Sequence, residues 1–265
     1  MTILIVAGTR PEMIKLGPVV AELRALKIEP KICITGQHFD LLAGTPAQTD
    51  LKPADSLNLR SDGNVAKWLN RAQKALKDHF LRVQPSVVVV QGDTMTVEAA
   101  SSAAVALDLP VAHVEAGIRS GDLHNPWPEE RTWIAVAQRA TWHYAPTSTT
   151  FANLLREGID QRSIRVTGNT CVSALSRYTS QVPVATPEPV VLVTLHRREV
   201  QHPEIADALY AAVRHAAMFH TRLQFMWPMH PAFAKHIRRF QEPWNLKIIK
   251  PLDYVNCVRI LANAT

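Results

Sequence analysis

The sequence has few cysteines, no zinc-type cysteine spacing and no hydrophobic run of transmembrane length. Its three cysteines, Cys33, Cys171 and Cys257, stand far apart with no Cys-x-x-Cys pair. This usage argues against a disulfide framework or a zinc knuckle and is typical of a reducing compartment. No apolar run is long enough to span a bilayer, and Met1–Gly8 lacks the basic start of a signal peptide. We therefore expect a cytoplasmic globular protein with no membrane partner.

The chain also lacks the clustered basic residues of a nucleic-acid-binding surface. Its 265 residues carry a formal net charge of +6, which would suit a phosphate-bearing partner. The lysines and arginines are scattered, however, and no aromatic platform is interleaved with them. A solvated basic surface is the favoured interpretation, and we expect no nucleic-acid partner. The Gly-x-Gly-x-x-Gly motif is absent as well, so a dinucleotide cofactor is not indicated.

Apolar runs that alternate with helical patterns predict an α/β fold built on parallel sheets. Runs such as Val87–Gln91 and Pro110–Val114 are typical of strands buried on both faces. Six strand–helix units predict a complete doubly wound domain over residues 1–170, with a surface excursion at 44–63. Residues 171–189 predict a linker helix and a proline-rich hinge. Three further strand–helix units over 190–265 predict a second, incomplete Rossmann-like domain.

Carboxylates follow two of the predicted strands and end a proline-stiffened loop. Asp93 follows the Val87 strand, Glu115 follows the Pro110 strand, and Glu129 closes the loop that contains Pro126 and Pro128. Ligands of open α/β sheets bind outside the carboxyl ends of the strands. The pattern predicts a site at this rim. Taken singly, each carboxylate is better interpreted as a helix cap or a surface charge, and it is their combination that favours a site.

The first strand is followed by a glycine turn and a helix start, Gly8-Thr9-Arg10-Pro11. Pro11 suits the first helical position, and the free N–H groups of a helix N-terminus favour an anion. Arg10 and Lys15 add positive charge at the same place. Because βα turns with one glycine are common, an anion site and an ordinary turn both stay open here.

Seven short motifs occur in order along nearly the whole chain. They are GTRPEMIK (8–15), QGDTMT (91–96), HVEAGIRSGD (113–122), NPWPEE (125–130), TGNT (167–170), LHRRE (195–199) and PLDY (251–254). In these motifs the chain resembles the non-hydrolysing UDP-N-acetylglucosamine 2-epimerases. The resemblance implies two Rossmann-like domains that face each other across a cleft, as in glycosyltransferase-B enzymes. It also implies interconversion of UDP-GlcNAc and UDP-ManNAc with no redox cofactor and no metal, for cell-surface polysaccharide biosynthesis.

The family's chemistry explains why several carboxylates are needed around one sugar. The C2 proton is not α to a carbonyl, so the family expels UDP by elimination and adds it back with C2 inverted. By resemblance, Asp93, Glu115, Glu129 and His196 match the catalytic residues. The residues assigned to substrate binding are Arg10, Lys15, Gln37, His38, Arg119, His230 and Asp253. Taken alone, His38 is better interpreted as a loop histidine and His196 as a satisfied strand-end histidine.

Three departures from the family pattern bear on the transfer of this activity. The family continues past the position of Thr265 with a segment that holds the UDP diphosphate, so we expect this chain alone to bind UDP-sugar weakly. Val200–Pro203 replaces a small residue and a glycine, Arg131–Trp133 replaces an Asn-Arg pair, and Cys257 stands where an aromatic is usual. The expected partners are a UDP-sugar, a second copy in a homodimer and, alternatively, a second chain that supplies the missing segment.

Three functions stay open on the sequence alone. The first is a UDP-GlcNAc 2-epimerase, favoured because the four residues matched to catalysis occur together. The second is a non-catalytic or split remnant that acts as a binding or assembly module, favoured by the absent diphosphate segment. The third is a hydrolysing 2-epimerase that releases ManNAc and UDP.

Overall fold

The computed structural model describes residues 1–37, 51, 55–60, 64–179, 189–195, 202–229, 231–235, 237 and 241–264. The chain divides into two compact units, Met1–Ala174 and Leu175–Thr265. The division falls close to the predicted domain end at residue 170. Residues 180–188 lie outside the described part of the chain, so the proline-rich hinge remains a prediction.

The first unit is a parallel α/β sheet with helices on both faces. Its strands are β1 (Ile3–Ala7), β2 (Lys31–Ile34), β3 (Asp55–Ser56), β4 (Val87–Gln91), β5 (Val111–Val114), β6 (Trp142–Ala145) and β7 (Ile164–Val166). Its helices are α1 (Arg10–Ala25), α2 (Val65–Val83), α3 (Met95–Val105), α4 (Glu129–Arg139), α5 (Ser148–Arg156) and the start of α6 (Thr170–Thr179). The strand order is β3-β2-β1-β4-β5-β6-β7. The order reverses between β1 and β4, which is where open α/β sheets open a crevice for ligands.

Strand β3 corrects the prediction for residues 44–63. The sequence predicts only a surface excursion there, but Asp55 and Ser56 pair in parallel with Cys33 and Ile34 of β2. Both residues of this edge strand are exposed. A strand of two exposed polar residues has no apolar period, so pattern analysis does not detect it.

Each face of the first sheet carries its own cluster of buried side chains. On one face, α2 and α3 pack on β1 and β4 through residues such as Trp68, Phe80 and Val90. The alanines of α3 are fully or almost fully buried, which lets this helix approach the sheet closely. On the other face, α1 packs on β1, β2 and β4 through Met13 and Leu16. Burial on both sides explains why the strands are continuous apolar runs.

The second unit repeats the strand–helix pattern on a smaller scale. It contains β8 (Val190–Leu192), α7 (Pro203–Phe219), β9 (Gln224–Pro228), α8 (Pro231–Ala234), β10 (Leu246–Ile249) and α9 (Tyr254–Ala262). The three strands are parallel in the order β10-β9-β8. Tyr210, Trp227 and Phe233 form the centre of its core. Within the described ranges, no helix of either unit is long and apolar enough to cross a membrane.

Candidate active site

The ends of β4, β5 and β7 meet the first turns of α1 around the carboxylate of Glu115. Lys15 Nζ lies 2.6 Å from Glu115 Oε2 and forms an ion pair with it. Gln91 Nε2, at the end of β4, donates to the same oxygen. Asn169 Nδ2, three residues beyond β7, donates to Oε1 at 2.8 Å. Residues far apart in the chain are thus collected on one carboxylate at the predicted rim.

Glu115 is held in an unusual backbone conformation as well as by these donors. Its φ is +66°, in the left-handed region that side chains other than glycine rarely adopt. Such a conformation costs on the order of 1–2 kcal/mol and is found where surrounding contacts impose it, often at functional sites. The residue is 8% exposed. Both carboxylate oxygens are engaged, so Glu115 is a fixed acceptor rather than a free group.

Asp93 and Glu129 complete an acidic cluster beside this ion pair. Burial and, after it, the negative charges of Glu129 and Glu115 raise the pKa of Asp93 to about 6, while Lys15 opposes the shift. The charges of Glu129 and Glu115 therefore reach Asp93, so the three carboxylates lie within electrostatic range of one another. Glu129 Oε2 is buried and has no hydrogen-bond partner within the described residues. An unpaired buried carboxylate oxygen is costly, and it is the kind of group that a ligand or a proton satisfies.

Glu12 caps the N-terminus of α1 together with Thr9, and the sequence motifs do not predict a role for it. Thr9 is the N-cap, and Glu12 Oε2 accepts the N–H groups of Gly8 at 2.9 Å and Thr9 at 2.7 Å. Glu12 Oε1 accepts the hydroxyl of Thr94 at 2.8 Å. Two of the N–H groups that would attract an anion are therefore already bonded to a carboxylate. The sequence leaves open an anion site or an ordinary βα turn here, and these two N–H groups fit the ordinary turn.

Gln37 hydrogen-bonds to the first turn of α3, next to the ends of β1 and β2, and is not part of the acidic cluster. Its Oε1 accepts from Thr96 N at 3.1 Å and from Thr96 Oγ1 at 3.0 Å. Thr35 Oγ1 lies 2.9 Å from Thr96 Oγ1. A Cβ on Gly8 would lie 2.0 Å from Thr96 Oγ1 and 2.4 Å from Thr35 Oγ1. Only glycine fits between these two threonine hydroxyls, which explains why the residue directly after β1 is a glycine.

Two other residues predicted to bind substrate make structural contacts here. Arg119 forms a two-pronged ion pair with Glu157, with Nε and Nη2 each 2.6 Å from a carboxylate oxygen. Asp253 is the N-cap of α9, and its two oxygens accept the backbone and side-chain nitrogens of Asn256 at 2.8 Å. Arg10 is half-buried and makes no ion pair within the described residues. For Arg119 and Asp253 substrate binding remains a prediction, beside a structural role that these contacts demonstrate.

Three predicted histidines, His38, His196 and His230, lie outside the described residues. Their assignments therefore remain predictions. Another histidine, which the sequence does not predict, contacts the turn that carries Asp93. His113 of β5 is fully buried, and its Nε2 lies 2.8 Å from the carbonyl oxygen of Gly92, directly before Asp93.

The roles of some residues in this region are visible in the sequence, while those of others are not. Thr9 and Glu12 have the Thr-x-x-Glu spacing of a capping box, which is readable from sequence. Gln91 and Asn169 stand at strand ends inside the quoted motifs, but nothing in their spacing says that both reach Glu115. Among the described residues, no group of three or more His, Cys, Asp or Glu side chains is arranged to hold a metal ion.

Two parallel sheets flanked by helices, with a cluster of carboxylates at the carboxyl rim of the first, define a doubly wound α/β protein of the Rossmann-like class. A family model described as UDP-N-acetylglucosamine 2-epimerase matches residues 21–265. The chain belongs to the UDP-N-acetylglucosamine 2-epimerase family, as its motifs predict.

Individual relatives support the same membership. The chain is 35% identical over 284 residues to the UDP-N-acetylglucosamine 2-epimerase of Salmonella typhimurium, covering all of this chain and 75% of the relative. The crystal structure of UDP-GlcNAc 2-epimerase from Neisseria meningitidis bound to UDP-GlcNAc matches with a TM-score of 0.87 and 30% identity, over 100% of this chain and 76% of that chain. The Methanocaldococcus jannaschii enzyme in complex with UDP-GlcNAc and UDP matches at 0.82 and 30%, over 100% and 77%. The predicted fold class, two Rossmann-like units of the glycosyltransferase-B type, is confirmed.

Proposed function

We propose that this protein interconverts UDP-N-acetylglucosamine and UDP-N-acetylmannosamine by eliminating UDP and adding it back with inversion at C2. The observation that carries the proposal is the acidic cluster of Asp93, Glu115 and Glu129 around Lys15, in a chain of this family. Inversion through elimination needs proton transfer on both faces of C2. Acid–base groups work best when their pKa lies near the working pH, and burial with its acidic neighbours raises the pKa of Asp93 to about 6.

The contacts suggest a division of labour among the three carboxylates. Glu115 accepts hydrogen bonds on both oxygens, including the ion pair with Lys15. It is suited to orient the sugar or the ammonium group of Lys15. Of the charged groups near Asp93, Glu129 has the largest effect on its pKa, because the two negative charges repel each other. In the proposal these two residues exchange the proton at C2, and His196 assists on the strength of the resemblance alone.

The proposal extends to the setting that the resemblance implies. The protein would act as a homodimer in the cytoplasm and supply a precursor of cell-surface polysaccharide. A second chain that supplies a diphosphate-binding segment is the alternative assembly. Light scattering on the purified chain, with and without UDP, measures the oligomeric state, and a monomer under both conditions would contradict the dimer.

The test is to incubate the full chain with UDP-GlcNAc in D2O and to follow the products by NMR. We expect UDP-ManNAc that carries deuterium at C2. Asp93→Asn should lower the rate by at least about 10²-fold, which is the low end for one positioned acid or base. Asp160→Asn, which alters a carboxylate paired with Arg162 at the surface, is the matched control and should leave the rate unchanged. Free ManNAc would instead establish the hydrolysing reaction, and folded protein without exchange at C2 would refute the proposal.

A further inference from the structure

The turn that carries Asp93 is held at the residue before it and at the residue after it. The carbonyl of Gly92 accepts a hydrogen bond from His113 Nε2 at 2.8 Å. The hydroxyl of Thr94 donates to Glu12 Oε1 at 2.8 Å. Gly92 has a φ of +80°, so the chain bends sharply at this point and the direction of the Asp93 side chain depends on how the turn is fixed.

Glu12 supplies one of these contacts from the interior of the first unit. It is 1% exposed and accepts three hydrogen bonds, two from backbone N–H groups and one from Thr94. Burial raises the pKa of Glu12 to about 6, and these hydrogen bonds oppose that shift. Three residues further along α1, Lys15 binds Glu115. The first turns of α1 therefore attach to the ends of both β4 and β5.

His113 supplies the other contact from β5, and its protonation state is determined by its surroundings. It is fully buried, and burial lowers its pKa to about 4, aided by the charges of His143 and Arg119. At neutral pH the ring is therefore uncharged and carries one N–H. Because a carbonyl oxygen can only accept, that proton is on Nε2, facing Gly92. The other ring nitrogen is buried without a partner within the described residues, so it offers no competing contact.

We propose that Glu12 and His113 are positioning residues that fix Asp93 for proton transfer by holding Thr94 and Gly92. Neither residue needs to touch substrate, and each acts through its neighbour in the turn. The inference rests on the proposed function only in treating Asp93 as an acid–base group. The two contacts hold the Asp93 carboxyl within the acidic cluster and limit its exposure to solvent.

Matched variants of each contact separate positioning from simple stabilisation. Thr94→Val removes the hydroxyl that donates to Glu12 and that also caps α3 by accepting the N–H of Val97, whereas Thr94→Ser keeps both contacts. His113→Phe removes the N–H, whereas His113→Gln retains a donor of similar reach. The readout is the titration of the Asp93 carboxyl, followed by ¹³C NMR of aspartate-labelled full chain and assigned by its absence in Asp93→Asn. This measurement needs no substrate, so it decides the inference even if the proposed function fails.

We expect Thr94→Val and His113→Phe to lower the pKa of Asp93 by roughly one unit, because a released carboxyl gains solvent and leaves its acidic neighbours. Thr94→Ser and His113→Gln should keep the titration close to that of the unaltered chain. In the C2 exchange assay, the two disruptive variants should lose about tenfold in kcat with little change in KM. Lower thermal stability with an unchanged Asp93 titration would overturn the proposal. If His113→Phe does not fold, Thr94→Val decides the question, since Thr94 is only half-buried.

Discussion

Asp93 should reduce the stability of the folded protein at neutral pH, and replacing it by asparagine should make the protein more stable. Its pKa is raised from an ordinary 3.8 to about 6 by burial and by Glu129 and Glu115. The folded state therefore holds the Asp93 proton more tightly than the unfolded chain does. The stabilisation from that proton is fully present below pH 3.8 and is lost as the pH rises through about 6.

The size of the effect follows from the two pKa values. One pKa unit corresponds to about 1.4 kcal/mol, so the difference between 3.8 and about 6 sets an upper limit of about 3 kcal/mol above pH 7. Partial exposure of the side chain reduces this to about 2–3 kcal/mol. For a unit of this size, each kcal/mol changes the melting temperature by roughly 2–4 °C. Asp93→Asn should thus gain roughly 4–12 °C at pH 8 and much less at pH 4.

Thermal and urea unfolding of the full chain at half-unit steps from pH 4 to 8 measures this difference. Asp160→Asn is the control of opposite sign, because Arg162 lowers the pKa of that exposed carboxyl. Its removal should cost a little stability at neutral pH rather than add any. A gain for Asp93→Asn that does not depend on pH, or a loss at pH 8, would refute the account of a desolvated carboxylate. The expected combination of higher stability and lost turnover is a trade-off typical of active-site groups.

Three further predictions concern residues around the site. Lys15→Met removes the cation that lowers the pKa of Asp93, so an NMR titration should place that pKa above about 6, and turnover should fall on the order of 10²-fold. Gly8→Ala places a methyl group 2.0 Å from a threonine oxygen and should cost about 1–3 kcal/mol in urea unfolding. Arg119→Lys and Glu157→Gln should each lower the melting temperature, because each breaks the same two-pronged ion pair.

Each of these predictions has a contrasting outcome. Gly17→Ala, where an added Cβ meets nothing within 4 Å, should stabilise α1 by up to about 1 kcal/mol. Equal losses of stability for Gly8→Ala and Gly17→Ala would contradict the steric explanation for Gly8. A large rise in KM for Arg119→Lys but not for Glu157→Gln would support the predicted substrate binding by Arg119, and an unchanged KM in both variants would contradict it. An Asp93 titration that ignores the loss of Lys15 would show that the two groups are not electrostatically coupled.

The alternation of apolar runs and helical patterns is a local property, and it predicted most of the fold. Strands buried on both faces are mostly apolar, so β4 (VVVVQ) and β5 (VAHV) are visible in the sequence as short runs dominated by valine and alanine. Thr94, the N-cap of the helix after β4, marks the start of that helix, whereas the helix after β5 has no side-chain cap. Strand β3 was missed because two exposed residues on a sheet edge have no such pattern.

The sequence by itself determined which carboxylates stand at strand ends, since position relative to a strand is readable along the chain. That was sufficient to predict Asp93 and Glu115 at one rim, while Glu129 was predicted from the proline-stiffened loop that it ends. Only the tertiary structure decided the partners: Gln91, Lys15 and Asn169 come from separate strand–helix units and meet on one carboxylate. Desolvation and charge–charge interactions depend on distances through space rather than along the chain. For that reason the raised pKa of Asp93 and the holding contacts of its turn emerged only from the folded arrangement.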